Sequence, residues 1–373
     1  MSKNIFEINP KGEKFIRFSN TDGKSWMMPI KNMRTTMNLY QPSGIKGKLI
    51  KLLLPYIYWI PFLNKVIHVE FLNIVLNNRL YQRLKNAINN KDFQFSIFLG
   101  TPSVYQKPTI QITKEKNILA YCKISDRNDI IKLFSEEQKM LNYLNDCGVK
   151  KNIPQVIFCS KVAVSSNDYV FVQSTIKTNK SRVVHKWTDK HGVFLTQLYD
   201  KTKVLCSFND TDFAKSLKLL ENNINLLPKP DAEIIKTAIL SVRKYYGNKE
   251  VEFSVYHGDF TPWNMFLEKD ELFVFDFEYA KRTYPPFMDW FHYITQIGII
   301  EKQFNAEKLF QFYLNQQKTV SDSIENINSI YLQYLLSVFS LYISITDGKL
   351  SHSDRSYICW IHIIKKLIND KKT

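Results

Sequence analysis

The apolar positions of this chain fall into short strand-like runs closed by turn residues and longer runs at helical spacing. Phe15-Ile16-Arg17-Phe18 and Ser25-Trp26-Met27-Met28 flank Thr21-Asp22-Gly23-Lys24, which predicts a hairpin. Residues 93–99 alternate as a strand and end at the turn Gly100-Thr101-Pro102-Ser103. Residues 108–113 return as a second strand, and 118–124 follow a polar turn as a third. Asp126 to Asp129 then offer N-caps. Ile130, Ile131, Leu133, Phe134, Leu141 and Leu144 recur at helical spacing, with Gly148 as a stop signal. Residues 168–175 read as another strand. Residues 251–256 and 272–275 are two more, with the polar turn Glu268-Lys269-Asp270-Glu271 before the second. The apolar stretches at 309–314 and 330–339 are too dense for surface helices and predict core helices.

One stretch fits neither kind of run. Lys46-Gly47-Lys48-Leu49-Ile50-Lys51 leads into an apolar run over 52–63 that contains Trp59, Pro55 and Pro61. It is too short to span a bilayer, and the prolines are expected to break a helix. A helix pair packed on the strand-rich region and a surface anchor with a basic flank both remain open.

Glu137 lies four residues before Leu141 on the apolar stripe of the predicted helix. A buried acid needs a partner, because an unpaired buried charge is costly. Lys123, on the third strand, is the expected partner, with Glu136 as the other acid that could take it.

The densest chemistry lies in His257-Gly258-Asp259-Phe260-Thr261-Pro262-Trp263-Asn264, with Asp276 following in Leu272-Phe273-Val274-Phe275-Asp276-Phe277-Glu278. Phosphoryl transfer from a nucleotide needs a carboxylate to orient the attacking hydroxyl. It also needs an amide oxygen and a second carboxylate to hold Mg²⁺. Asp259 suits the first task, and Asn264 and Asp276 suit the second, since Mg²⁺ prefers hard oxygen ligands. A solvated Asp–Asn turn would carry the same letters. Asp276 and the flanking strands favour the catalytic reading.

These segments resemble the aminoglycoside phosphotransferase and choline kinase group, small-molecule kinases with a protein-kinase-like fold. Gly258 and Glu278 fit that group's usual variants, and the resemblance covers about residues 93–300. It implies an α+β, two-lobed fold. The expected divisions are an N-terminal extension over 1–90, an N-lobe over 91–175 with a small antiparallel sheet and one helix, and a mainly helical C-lobe over 176–373. The nucleotide, ATP or GTP, would lie between the lobes near residues 168–175. Lys123 would contact its phosphates and Glu137 would position Lys123. The usual glycine-rich loop is missing. Gly100, Thr101 and Ser103 stand in its place as phosphate contacts. Asp289 and His257 are expected to brace the catalytic region. A second, less specific resemblance is to bacterial phosphotransferase-family proteins linked to cell-surface polysaccharide production. It rests on Leu39-Tyr40-Gln41-Pro42-Ser43, Leu54-Pro55 and Gly100-Thr101-Pro102.

Composition narrows the class further. The chain has 373 residues, 45% of them hydrophobic, enough for a large core and two or three compact units. Its five cysteines show no C-x-x-C spacing and are odd in number, so they read as reduced core residues. No apolar segment follows Met1, so no signal peptide is expected, and the expected location is cytoplasmic, peripheral at the inner membrane face if the anchor reading holds. Net charge is +16, but the basic residues are spread and no nucleic-acid-binding motif accompanies them. An aminoglycoside is a polycation and wants an acidic site, whereas residues 281–373 carry 11 basic and 8 acidic side chains. A sugar, a glycolipid or a related metabolite fits that charge better as the hydroxyl acceptor. An aromatic choline site and a non-catalytic nucleotide-binding scaffold are the alternatives.

Overall fold

The computed structural model describes residues 5–42, 44–60, 67–90, 92–103, 106–317, 326–346 and 353–369. The fold is α+β and divides into two compact units. The first takes the described residues within Met1–Asp146, Lys150–Val184 and Met265–Glu278, and the second those within Cys147–Val149, His185–Asn264 and Tyr279–Thr373.

The first unit is built on strands β1 (Phe6–Ser19), β2 (Ser25–Pro29), β3 (Glu70–Leu76), β4 (Gln94–Leu99), β5 (Thr109–Lys114), β6 (Asn117–Ser125), β7 (Val156–Lys161) and β8 (Tyr169–Ser174). They form one sheet in the order β3-β1-β2-β4-β5-β6-β8-β7, antiparallel at every pairing. Its helices are α1 (Met33–Thr36), α2 (Ile45–Ile57), α3 (Asn78–Ala87) and α4 (Asn128–Asp146). Period-two alternation sorts the strand residues between the faces. Ala120, Cys122, Ile124, Val170 and Val172 join Leu80 and Leu84 of α3 in one core. From the opposite face Phe171 stacks on Phe134 of α4, ring centroids 6.0 Å apart.

Two expectations change here. Residues 1–90 are not a separate extension, because β1, β2 and β3 complete the same sheet as β4–β8. The prediction missed this because strand pairing is non-local: β1 pairs with β3 more than fifty residues away, which no local pattern encodes. Pro55 also does not end the helix. It sits inside the last turn of α2, so it removes one bond, to the carbonyl of Lys51, and the helix ends two residues later at Ile57. Pro61 and Leu63 lie outside the described residues.

A hairpin of β11 (Met265–Glu268) and β12 (Glu271–Val274) also belongs to the first unit. Lys269 and Asp270 both take positive φ at its tip, as a tight two-residue hairpin turn requires. Leu267 and Arg182 exchange backbone hydrogen bonds of 3.0 and 2.8 Å, and Val274 N–H donates to Asn152 O at 2.9 Å. These bonds fix the strand from which Asp276 emerges.

The second unit has a three-stranded sheet, β13 (Lys281–Tyr284), β10 (Glu250–Tyr256) and β9 (Val204–Ser207), in that order. Around it lie helices α5 (Asp189–Thr202), α6 (Asp212–Asn222), α7 (Lys229–Tyr246), α8 (Met288–Gln296), α9 (Ala306–Gln317), α10 (Ile327–Ile345) and α11 (Arg355–Asn369). Helix α10 is apolar all round because it is central, packing on α6, α7, α8 and α11. It is long and apolar enough to cross a membrane by composition alone, but most of it is buried in the unit.

Candidate active site

In the first unit, alternation along β6 points Lys123 away from the core shared by Cys122 and Ile124 and towards α4. There its Nζ meets Glu137 Oε2 at 2.7 Å and Asp276 Oδ1 at 2.5 Å, with Glu278 Oε2 at 3.9 Å. Glu137 is fully buried, and its other oxygen accepts from Phe277 N–H at 3.3 Å. Glu136 instead pairs with Lys139 on the surface. Asp276 takes φ 72°, a strained left-handed conformation that aspartate tolerates better than most residues. Lys107, just before β5, bonds Glu278 at 2.6 Å.

The electrostatics follow from burial and crowding. Burial pushes the Glu137 carboxyl up to about 7, against the pull of Lys123. Burial also raises Glu278, helped by Asp276 and opposed by Lys123 and Lys107. For Lys123, burial would lower the ammonium, but Asp276, Glu137 and Glu278 together hold it above its ordinary value.

In the second unit the motif loop follows β10. Asp289, on the first turn of α8, accepts N–H bonds from His257 at 2.8 Å and Gly258 at 3.2 Å. The His257 ring in turn accepts from Asp259 N–H at 3.1 Å. Gly258 takes φ +82°, and a Cβ there would lie 2.8 Å from Tyr279 O, so the loop can close only around glycine. Phe260 anchors the far side by stacking on Phe194 at 5.9 Å.

The Asp259 carboxylate is held at both oxygens. Asn264 Nδ2 donates to Oδ2 at 2.7 Å and to the Asp259 carbonyl at 3.0 Å, and His292 Nε2 lies 3.3 Å from Oδ1. The two amide hydrogens of Asn264 are thus directed at Asp259, so its oxygen is the group that can face a cation. His292 is buried, with Tyr256 and Tyr334 hydroxyls each 3.5 Å from its Nδ1. Its Nδ1 thus faces the two hydroxyls while its Nε2 faces Asp259.

No family model matches the sequence, and no curated protein matches it. Solved structures that are similar include aminoglycoside phosphotransferase APH(2'')-Ib with ADP bound, at 18% identity and a TM-score of 0.43, over 79% of this chain and 97% of that one. A thermostable mutant of aminoglycoside phosphotransferase APH(4)-Ia with ADP and hygromycin B is similar at 10% identity and a TM-score of 0.49, over 78% of this chain and 98% of that one. A putative fructosamine-3-kinase from Haemophilus somnus 129PT is similar at 14% identity and a TM-score of 0.45, over 78% and 95%. Identities and TM-scores this low leave the functional reading to the side chains.

The structure joins Lys123, Glu137 and Asp276 in one cluster, and Asp259 and Asn264 in another. The turn after β4 is less informative. Thr101 and Ser103 are exposed, and a Cβ on Gly100 would approach only Phe98, at 4.0 Å, so nothing local demands glycine there. Sequence reasoning missed Lys107 and His292. Glu278 could have led to Lys107 by the argument that led from Glu137 to Lys123. His292 follows Asp289 by three positions, hence on the same helix face, a spacing that could have drawn attention to it.

Proposed function

We propose that this chain is a kinase that transfers the γ-phosphoryl group of ATP or GTP to a hydroxyl of a small molecule. The observation that carries the reading is Lys123, bonded at once to buried Glu137 and to Asp276. Exposed ion pairs contribute little, whereas this lysine is held at a buried position by two carboxylates, and a scaffold has no need of such a cluster. In this reading Lys123 neutralises phosphate oxygens and Glu137 fixes its position. Asp259 orients the acceptor hydroxyl, with its loop braced by Asp289 and His257.

Asp276 and Asn264 are the proposed Mg²⁺ ligands. The donor chemistry fits. Asp276 is partly exposed, the Asn264 amide hydrogens are directed at Asp259, and the side-chain oxygens of both residues are hard donors. Bound Mg²⁺ would supply positive charge against the nucleotide phosphates. The chain's own groups contribute alignment and charge neutralisation, with little covalent work. Gly100, Thr101 and Ser103 are proposed as further phosphate contacts, the exposed hydroxyls of the last two being accessible.

For the acceptor we favour a sugar, a glycolipid or a related metabolite, with a role in cell-surface polysaccharide metabolism. The net basic character of residues 281–373 supports this over a polycationic aminoglycoside. The test is nucleoside diphosphate release from ATP and GTP against a panel of sugars, amino alcohols and aminoglycosides. Release stimulated by an aminoglycoside or by choline alone would replace the favoured acceptor class. No binding of either nucleotide by calorimetry, with or without Mg²⁺, would overturn the kinase reading itself.

A further inference from the structure

Helix α2 carries apolar side chains on two faces. Ile50, Leu54 and Tyr58, at spacings of four, pack on a core that includes Phe18, Trp26, Met28 and Met33. Ile45, Leu49, Leu52, Tyr56 and Trp59 point away from it and are 80%, 52%, 65%, 50% and 66% exposed. A helix on a protein surface ordinarily turns polar residues outward. Contiguous exposed apolar residues of this kind mark an interaction site. Two contacts hold its end: Trp59 Nε1 donates to Tyr56 O at 2.8 Å, and Arg34 lies over the Tyr56 ring at 4.5 Å.

The charge along the chain to either side of this stripe has one sign. Between Asp22 and Glu70 the sequence has no acidic residue, while Lys24, Lys31, Arg34, Lys46, Lys48, Lys51 and Lys65 are basic. Lys46 and Lys48 are exposed beside the stripe. On the inner side, burial lowers Lys51 to about 8. Burial, together with repulsion from Lys51, lowers Lys177 to about 7. This is a surface that lacks negative charge and gains by meeting it.

We propose that α2 lies in the interface of an anionic lipid membrane. Ile45, Leu49, Leu52, Tyr56 and Trp59 enter the acyl boundary, and Lys46 and Lys48 meet headgroup phosphates. The geometry is that of a helix lying in the plane, since 13 residues cannot span a bilayer. Tyr and Trp at one end of the stripe suit the headgroup depth. A second copy of the chain is the poorer occupant, because a symmetric contact across this face would bring its lysines against one another. The inference is independent of the kinase reading.

The experiment is co-sedimentation of the full chain with vesicles of phosphatidylcholine alone or mixed with phosphatidylglycerol. Sedimentation velocity without vesicles accompanies it. Binding should rise with phosphatidylglycerol and fall with salt. Leu52→Glu should weaken partitioning by about tenfold or more, from loss of one buried leucine and gain of a charge. Lys46→Glu with Lys48→Glu should remove the preference for phosphatidylglycerol. These side chains are exposed, so thermal unfolding and far-ultraviolet circular dichroism should be unchanged, which serves as the check on the fold. No vesicle binding by the wild type, or binding indifferent to Leu52→Glu, overturns the proposal. A dimer in solution that Leu52→Glu dissociates would assign the face to a second copy instead.

Discussion

Lys123 Nζ is 2.5 Å from Asp276 Oδ1. The carboxylate proposed to hold Mg²⁺ is therefore engaged by the lysine proposed to hold phosphate. Asp276→Ala should abolish the Mg²⁺ dependence of nucleotide binding. The fold should persist, because Lys123 keeps Glu137 and Asp276 is itself partly exposed. Calorimetry with ATP, with and without Mg²⁺, checks this. Unchanged metal dependence in the variant would remove Asp276 from the metal site.

Glu137 depends on Lys123 far more than Asp276 does. Its side chain is fully buried, so Lys123→Ala leaves it, among the described residues, with the Phe277 N–H as its remaining hydrogen-bond donor. Breaking a buried pair from one side typically costs about 3–5 kcal/mol. Denaturant unfolding should show a loss of that order. Adding Glu137→Gln should restore most of it, since the amide oxygen can still accept from Phe277. A double variant no more stable than Lys123→Ala would show that the loss arises elsewhere.

Asp259→Asn keeps the shape and one accepting oxygen but removes the negative charge. General-base roles contribute about 10²–10⁴-fold, and turnover should fall within that range. Nucleotide affinity should change little. Paired turnover and binding measurements on one preparation decide the matter. Lost nucleotide binding would place Asp259 among the metal ligands.

Asp289 gives a pH signature. Burial holds its carboxyl up at about 7 from an ordinary 3.8, against the pull of the His257 and Gly258 N–H groups and of His292. Between those values the folded chain binds this proton more tightly than the unfolded chain does. The contribution of this group to stability is therefore full below about pH 4, falls as pH rises towards 7, and is level above. Asp289→Asn does not titrate. The melting-temperature difference, wild type minus variant, should shrink over that window. A difference that is constant with pH would mean that Asp289 ionises normally.

The parts of this molecule that were legible in the sequence are those encoded locally. Strands β4, β5 and β6 and helix α4 follow from alternation, turns and the Gly148 stop. The Lys123–Glu137 contact follows from a single acid on an apolar stripe. What was illegible depends on distant chain segments meeting. The partnership of Lys107 with Glu278 spans more than 150 residues. The contact of His292 with Asp259 needs the packing of α8, and the Tyr256 and Tyr334 hydroxyls that flank its other nitrogen come from β10 and α10. Pro55 misled for a different reason. Falling in the final turn, it removes one bond from a helix whose other turns precede it, so α2 forms despite it.

The position of β2 in the eight-stranded sheet bears on how the chain can be shortened. A fragment starting at residue 91 would keep every candidate catalytic side chain, yet it would strip β4 of its neighbour, since β2 pairs with it along Ser25–Leu99, Trp26–Phe98 and Met27–Ile97. The exposed strand would present a row of unpaired N–H and C=O groups beside apolar side chains that had lost Phe15, Met27 and Ile74. Such an edge is a template for pairing with other copies. The first ninety residues thus act as a solubility guard for the eight-stranded sheet, and a fragment without them should aggregate.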